Sequence, residues 1–246
     1  MGATFARCSR DRYHTGMCGR IGLPQLTWKQ FVAWQRGEFD WLDILREDGS
    51  DELVMSWNVK PTQTVEALFV RKGALVAANA RWWLVPQWFK GAPKDWKATT
   101  FNAKIETADT LPSFRGASRC AIPASGYFEW TGDKGQKQPW WITTQSNAPM
   151  LFFAGLQTRL ESGLRTCSIL TRPALTQTAH LHPRSPVILA DGQLQAWLSG
   201  EIDRDTAKSD LGTDWDGRMR FHQVARFGIE DDGPELIEDI GPEPLI

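Results

Sequence analysis

The chain has 246 residues, 41% hydrophobic and 23% charged, with a formal net charge of −1. That length allows one well-buried core, and that balance excludes a polycation that coats duplex DNA, so any nucleic-acid contact has to come from a local groove. No apolar run approaches the roughly 20 residues that cross a bilayer, and residues 1–16 lack the apolar stretch of a secretory signal, so a cytoplasmic, nucleoid-associated location is expected.

In chain order, residues 1–16 form a polar extension ahead of a domain over residues 17–240. Met17 to Leu23 reads as a strand. Thr27 is placed to cap an amphipathic helix carrying Trp28, Phe31 and Trp34 and continuing past Gly37 through Trp41, Leu42 and Leu45. A polar turn, Glu47 to Asp51, follows. Strand patterns then recur at Val65–Arg71, Ala74–Val85, Arg119–Glu129, Trp140–Thr144, Leu151–Leu156, Thr166–Leu170 and Val187–Leu189, punctuated by turns such as Thr131-Gly132-Asp133-Lys134-Gly135. A short helix is predicted over Gly192–Leu198. With no repeat or linker, the pattern predicts one α+β domain. Its core is a curved, barrel-like, largely antiparallel sheet with flanking helices.

Thirteen tryptophans are many for this length, and several stand beside basic residues, as in Arg81-Trp82-Trp83 and Lys94-Asp95-Trp96-Lys97. Indole faces stack on unpaired bases while cations hold phosphates; most of these rings are expected in the core, and two or three on a ligand. The four cysteines, Cys8, Cys18, Cys120 and Cys167, form no CxxC pair and argue against a disulfide framework. His180 and His182 alternate, but a third ligand at motif spacing is missing, so neither a metal nor another cofactor is expected.

Four segments hold polar residues that packing does not demand: Met17-Cys18-Gly19-Arg20, Asn102-Ala103-Lys104 with Glu106, Gly126-Tyr127-Phe128-Glu129-Trp130, and His182-Pro183-Arg184-Ser185-Pro186. A thiol, an amide, a carboxylate and an imidazole suffice for activated-thiol chemistry. Singly, each has a plainer reading: Cys18 as a small core residue, Asn102 as a turn former, Glu129 as an ion-pair partner, His182 as a loop cap.

Together these segments resemble the SOS response-associated peptidase (SRAP) family, the abasic-site-processing proteins. Further matching stretches are Trp57 to Gln63, Trp82 to Trp88, Arg119 to Ala124, Ala154 to Leu156 and Asp232 to Leu236, and all run in family order. The resemblance implies the SRAP fold and the capture of an abasic-site aldehyde in single-stranded DNA. In the family the cysteine after the initiator Met becomes the N-terminus. Its α-amine, with a pKa of roughly 7.7–8.0, is partly neutral and attacks the aldehyde. Its thiol then closes a thiazolidine ring, leaving a DNA–protein crosslink.

By the same resemblance Cys18, Asn102, Glu129 and His182 are the catalytic set. Glu129 moves protons during ring opening and imine formation, His182 shuttles protons in crosslink reversal, and Asn102 orients the reactants. Arg20, Lys104 and Thr171 are implied phosphate contacts and Asn58 a further DNA contact; Pro61 and the Trp82–Trp88 segment, with Trp82 and Trp83, form the wall that receives the strand. A monomer is expected to act on the DNA, away from any membrane.

Three positions depart from the family pattern. Seventeen residues precede Cys18, and an amine in a peptide bond cannot form an imine; translation starting at Met17, or self-cleavage of a leader, would free it. Lys104 replaces the family's Arg and loses its bidentate fork, and Ser185 replaces a Met beside His182. Two other readings use the same residues: a cysteine peptidase acting on peptide bonds, and a non-catalytic single-strand binding module.

Overall fold

The computed structural model describes residues 19–38, 43–50, 52–145, 148–190, 192–215 and 218–241. Cys18 lies outside the described residues, as do the extension 1–16 and the Trp41-Leu42 pair.

The centre is a closed ring of strands. Strands β3 (Thr64–Arg71) and β4 (Ala74–Trp82) form a hairpin whose two-residue turn, Lys72-Gly73, has φ of 53° and 83°. Two left-handed residues give the turn that matches the twist of paired strands. β3 continues to β6 (Ser118–Ala124), β6 to β9 (Leu151–Arg159), and β9 to β10 (Arg165–Pro173). β10 then returns to β4 in parallel, through Thr166↔Arg81 and Cys167↔Trp82, which closes the ring. Inside it pack Val65, Ala67, Phe69, Val76, Ala78, Trp82, Ile122 and Phe153. The alternate residues Leu68, Leu75, Ala77, Ala121, Phe152 and Leu170 face outward, into a layer shared with helix α1 (Trp28–Glu38), α2 (Gln193–Ser199) and α3 (Arg204–Asp210). Period-two alternation thus builds two cores from one sheet. Gly155 on β9 is required by the interior: a Cβ there would lie 2.5 Å from Ile122 Cδ1 and 2.7 Å from the Ser168 carbonyl.

A second, antiparallel sheet runs in the order β1 (Ile21–Gly22), β7 (Gly126–Thr131), β8 (Gln138–Thr144), β12 (Met219–Gln223). One face shares the ring's interior core through Ile21, Tyr127, Ile142 and Met219; the other packs Phe128 and Trp141 on Val224 and Leu236. Three short strands fringe the ring. β2 (Ile44–Arg46) lies parallel on β4, while β5 (Asn102–Lys104) and β11 (Arg184–Pro186) both pair with β10.

The α+β domain with a curved sheet ring is as expected. Thr27 caps α1 as predicted, in a reciprocal box: its hydroxyl accepts from the Gln30 N–H at 3.3 Å while its own N–H donates to Gln30 Oε1 at 2.9 Å. Several boundaries differ. The helix stops at Glu38, and Leu45 lies in β2, opposite Val76. The run Arg119–Glu129 is two strands in two sheets, broken at Ser125. β4 ends at Trp82 rather than Val85, and Val187–Leu189 follows β11 as an isolated bridge, Ile188 opposite Phe153, flanked by backbone hydrogen bonds from Val187 to Leu170 and from Leu189 to Phe152. Among the described residues no helix is long and apolar enough to cross a membrane.

Candidate active site

Glu129 stands near the end of β7, opposite Trp140 on β8 and on the same face as Tyr127. Its residue is 5% exposed, so a carboxylate is held at the rim of an apolar core. The N-terminal segment runs beside it: Ile21 pairs with Tyr127, and the Phe128 N–H donates to the Arg20 carbonyl at 3.0 Å. Register therefore brings the backbone of residues 19–20 alongside Phe128–Glu129.

The Arg20 guanidinium donates to Asn58 Oδ1 at 2.6 Å and lies 5.9 Å from the Trp130 ring centre. Burial lowers its pKa, opposed by the field of Glu230. Asn58, buried, donates in turn to the carbonyls of Asp231 at 2.7 Å and Gly228 at 3.4 Å. Its amide is therefore spent inside the protein, and the expected DNA contact from Asn58 is corrected to a support for Arg20. Pro61 follows in a tight turn, closed by Gln63 N–H to the Lys60 carbonyl at 3.1 Å, in which Thr62 takes φ of 84°. A β-branched residue in that region is strained.

A second group of residues surrounds the end of β10. β5 sets Asn102 opposite Ile169 and Lys104 opposite Thr171. Asn102 is half-buried and Lys104 exposed. Thr171 is completely buried and donates its hydroxyl hydrogen to the Ala103 carbonyl at 3.2 Å. It offers no surface to a phosphate, so that expectation is corrected as well. On the other edge of β10, Arg184 makes a two-pronged ion pair with Glu106, with Nη2–Oε2 at 2.7 Å, and Nη2 also donates to the Thr171 carbonyl at 2.6 Å. Arg184 holds the Glu106 carboxyl below its ordinary value. His182 is half-buried with Nδ1 within 3.1 Å of the Arg184 N and 3.2 Å of its carbonyl oxygen. Burial is the main cause lowering its pKa, so the ring is predominantly neutral at neutral pH.

The connection between β10 and β11 bridges the two groups. His180 sets its ring edge-on to Trp140, 6.3 Å between centres, and Trp140 is the cross-strand neighbour of Glu129.

Among the tryptophans, Trp82 is a correction. It is fully enclosed in the ring and donates its indole N–H to the Phe101 carbonyl at 2.8 Å, so no base can stack on it. Its parity with Ala78 and Ala80 on β4 was the available signal. Trp83 is half-buried, with its N–H on the Ala98 carbonyl. The exposed indole of the segment is Trp88, at 50%, which meets Trp96 edge-on beside the exposed Lys94 and Lys97.

Cys120 and Cys167 are fully buried in the ring and burial raises both thiols, so neither serves as an accessible nucleophile. Among the described residues no three His, Cys, Asp or Glu side chains group as metal ligands. A cleft of about 390 Å³ opens on the helix-covered side, lined by Ile105, Leu170, Trp197 and Lys208; Asn102, Glu129 and His182 are absent from its walls.

The sequence profile of the family described as SOS response associated peptidase (SRAP) matches residues 17–227. A Bacillus subtilis (strain 168) protein named abasic site processing protein YoqW is 30% identical over 239 residues, covering 90% of this chain and 99% of its own. Escherichia coli (strain K12) abasic site processing protein YedK is 27% identical over 239 residues, with coverage of 91% and 100%. The crystal structure of a Bacteroides thetaiotaomicron protein superposes with a TM-score of 0.72 at 22% identity, covering 90% of this chain and 99% of that one.

Proposed function

Because the chain belongs to the SOS response associated peptidase family, we propose that it processes abasic sites in single-stranded DNA by capturing the lesion's aldehyde on Cys18. The observation that carries the reading is the buried carboxylate of Glu129 beside the backbone of residues 19–20. Cys18 lies outside the described residues and stands two positions before Arg20 in the sequence.

The chemistry balances without a cofactor. The Cys18 amine adds to the open-chain sugar aldehyde, and loss of one water gives an imine. The thiol sulfur then adds to the imine carbon while its proton passes to nitrogen, closing a thiazolidine. Glu129 carries protons during ring opening and dehydration. A mostly neutral His182 takes and returns a proton in the reverse direction. Asn102 orients the reactants, Arg20 and Lys104 hold phosphates, and Pro61, Trp83 and Trp88 face the bases.

A free amine at Cys18 is a precondition. Hydrolysis of the Met17–Cys18 bond, consuming one water and leaving a carboxylate on Met17, would supply it, and the thiol with Glu129 and His182 would serve that cleavage too. The protein is read as a monomer at its DNA.

The test is intact mass spectrometry before and after adding an abasic single-stranded oligonucleotide. The expected result is a chain beginning at Cys18 that gains the oligonucleotide mass less one water and stays joined after boiling in detergent. Cys18→Ala should give no adduct, and an equal yield from that variant rejects the reading.

A further inference from the structure

Arg184 has hold of His182 with its backbone and of Glu106 with its side chain. Both its N–H and its C=O lie at hydrogen-bond distance from His182 Nδ1, at 3.1 and 3.2 Å. A bare Nδ1 accepts from the N–H; an Nδ1 carrying a proton donates to the carbonyl. The backbone of one residue thus serves the ring in either state, through the two peptide groups that flank its α-carbon, and Nε2 is left as the nitrogen that exchanges protons.

That backbone has to stay still, and it is held by the short strand β11, Arg184–Pro186, and by the Ala174 N–H on the Pro183 carbonyl at 3.0 Å. The guanidinium supplies the remaining restraint. Its two terminal nitrogens meet both oxygens of Glu106, and one of them also reaches the Thr171 carbonyl. Planar, two-pronged pairing fixes direction as well as distance. Glu106 follows β5 by two residues, so the same fork fastens the strand bearing Asn102 and Lys104 to the turn bearing His182.

We propose that Glu106 is a positioning residue for His182, acting through Arg184. The inference rests on the proposed function only for what the ring does, not for how it is held. The groups acting on the ring's charge are Arg184 itself and Lys137 from the β7–β8 hairpin, both cationic and both lowering its pKa. Removing the Glu106 charge leaves Arg184 unneutralised, so the ring should titrate at still lower pH. It should also lose its fixed orientation against the Arg184 backbone.

The experiment is an NMR titration of the histidine rings in the full chain, wild type against Glu106→Gln, with His182→Ala supplying the assignment. Alongside it, transfer of crosslinked DNA to excess competitor is timed across pH. In Glu106→Gln the His182 titration should move to lower pH, its nitrogen shifts should depart from the wild-type values, and release should slow about tenfold, more than capture slows. Glu106→Asp, which keeps the charge, should recover part of the titration. If Glu106→Gln fails to fold, Arg184→Lys keeps the cation but loses the fork and should loosen the ring in the same way. A His182 ring that titrates and partitions as in wild type in whichever variant folds overturns the proposal. If wild type forms no adduct at all, the proposed function fails while the ring spectra still decide this inference.

Discussion

Arg20 is held by Asn58: the guanidinium donates to Oδ1 at 2.6 Å, and the same amide donates to the Asp231 carbonyl at 2.7 Å. A buried asparagine thus joins the residue just ahead of β1 to the loop following β12, and it sets where the cation points.

Asn58→Ala should therefore cost about 2 kcal/mol of stability, because buried partners are left without their bonds. It should also weaken binding to intact single-stranded oligonucleotides by freeing Arg20 to move. Urea unfolding and fluorescence anisotropy measure the two effects. A variant with wild-type stability and affinity would remove Asn58 from this role.

The two tryptophans at either end of the Trp82–Trp88 segment should separate cleanly. Trp82→Ala empties a fully enclosed site in the ring and is expected to lose about 3–5 kcal/mol. Trp88→Ala should leave the melting temperature nearly unchanged and weaken single-strand binding by about 1–3 kcal/mol. Equal effects of both on stability would contradict their placement.

Gly155→Ala tests the ring's interior. The added carbon would meet Ile122 Cδ1 at 2.5 Å, the Ser168 carbonyl at 2.7 Å and Cys120 Sγ at 3.0 Å. Backbone on one side and core on the other leave nowhere to yield, and a loss of about 1–3 kcal/mol is expected. Chemical denaturation that shows no change would argue against this packing.

Acid stability should depend on Glu47. Its oxygens accept from Arg165 at 2.5 and 2.7 Å and from Arg71 at 2.8 Å, and Arg165 is the chief cause holding the carboxyl below its ordinary 4.5. The unfolded chain then takes up the proton first, so this contribution is present above pH 4.5 and is lost as pH falls through the lowered folded value. Glu47→Gln should cost about 1–2 kcal/mol near neutrality. The gap to wild type should close in acid, and a gap that stays constant across pH would contradict the ion pair's part in it.

Much of the ring was legible because alternation is a strong signal: Val65, Ala67 and Phe69 point one way and Leu68 the other. The helix after Thr27 was legible from its cap, but its end was not. Leu45 continued the apolar spacing yet pairs with Val76 as β2, a contact set by a strand far along the chain. β5 and β11 have three residues each, too few to show a period. α3 buries only Ala207 among its described side chains, so it presents no apolar stripe. Of the site, residue types and order were readable through family likeness, but burial was not. Thr171 and Asn58 look like surface polar residues in sequence and are enclosed in the fold.

β10 carries a consequence for synthesis. It borders β9, β11, β4 and β5, segments drawn from residues 74–82, 102–104, 151–159 and 184–186. A nascent chain that has not yet reached Arg165 has made β2, β3, β4, β6 and β9 but exposes β9 and the Arg81–Trp82 end of β4, beyond its pairing with β2, as two unpaired margins, each able to recruit a strand from another polypeptide. A ribosome stalled there would release an aggregation-prone half-cylinder, and only the arrival of β10 turns it into a shape with no seam to offer.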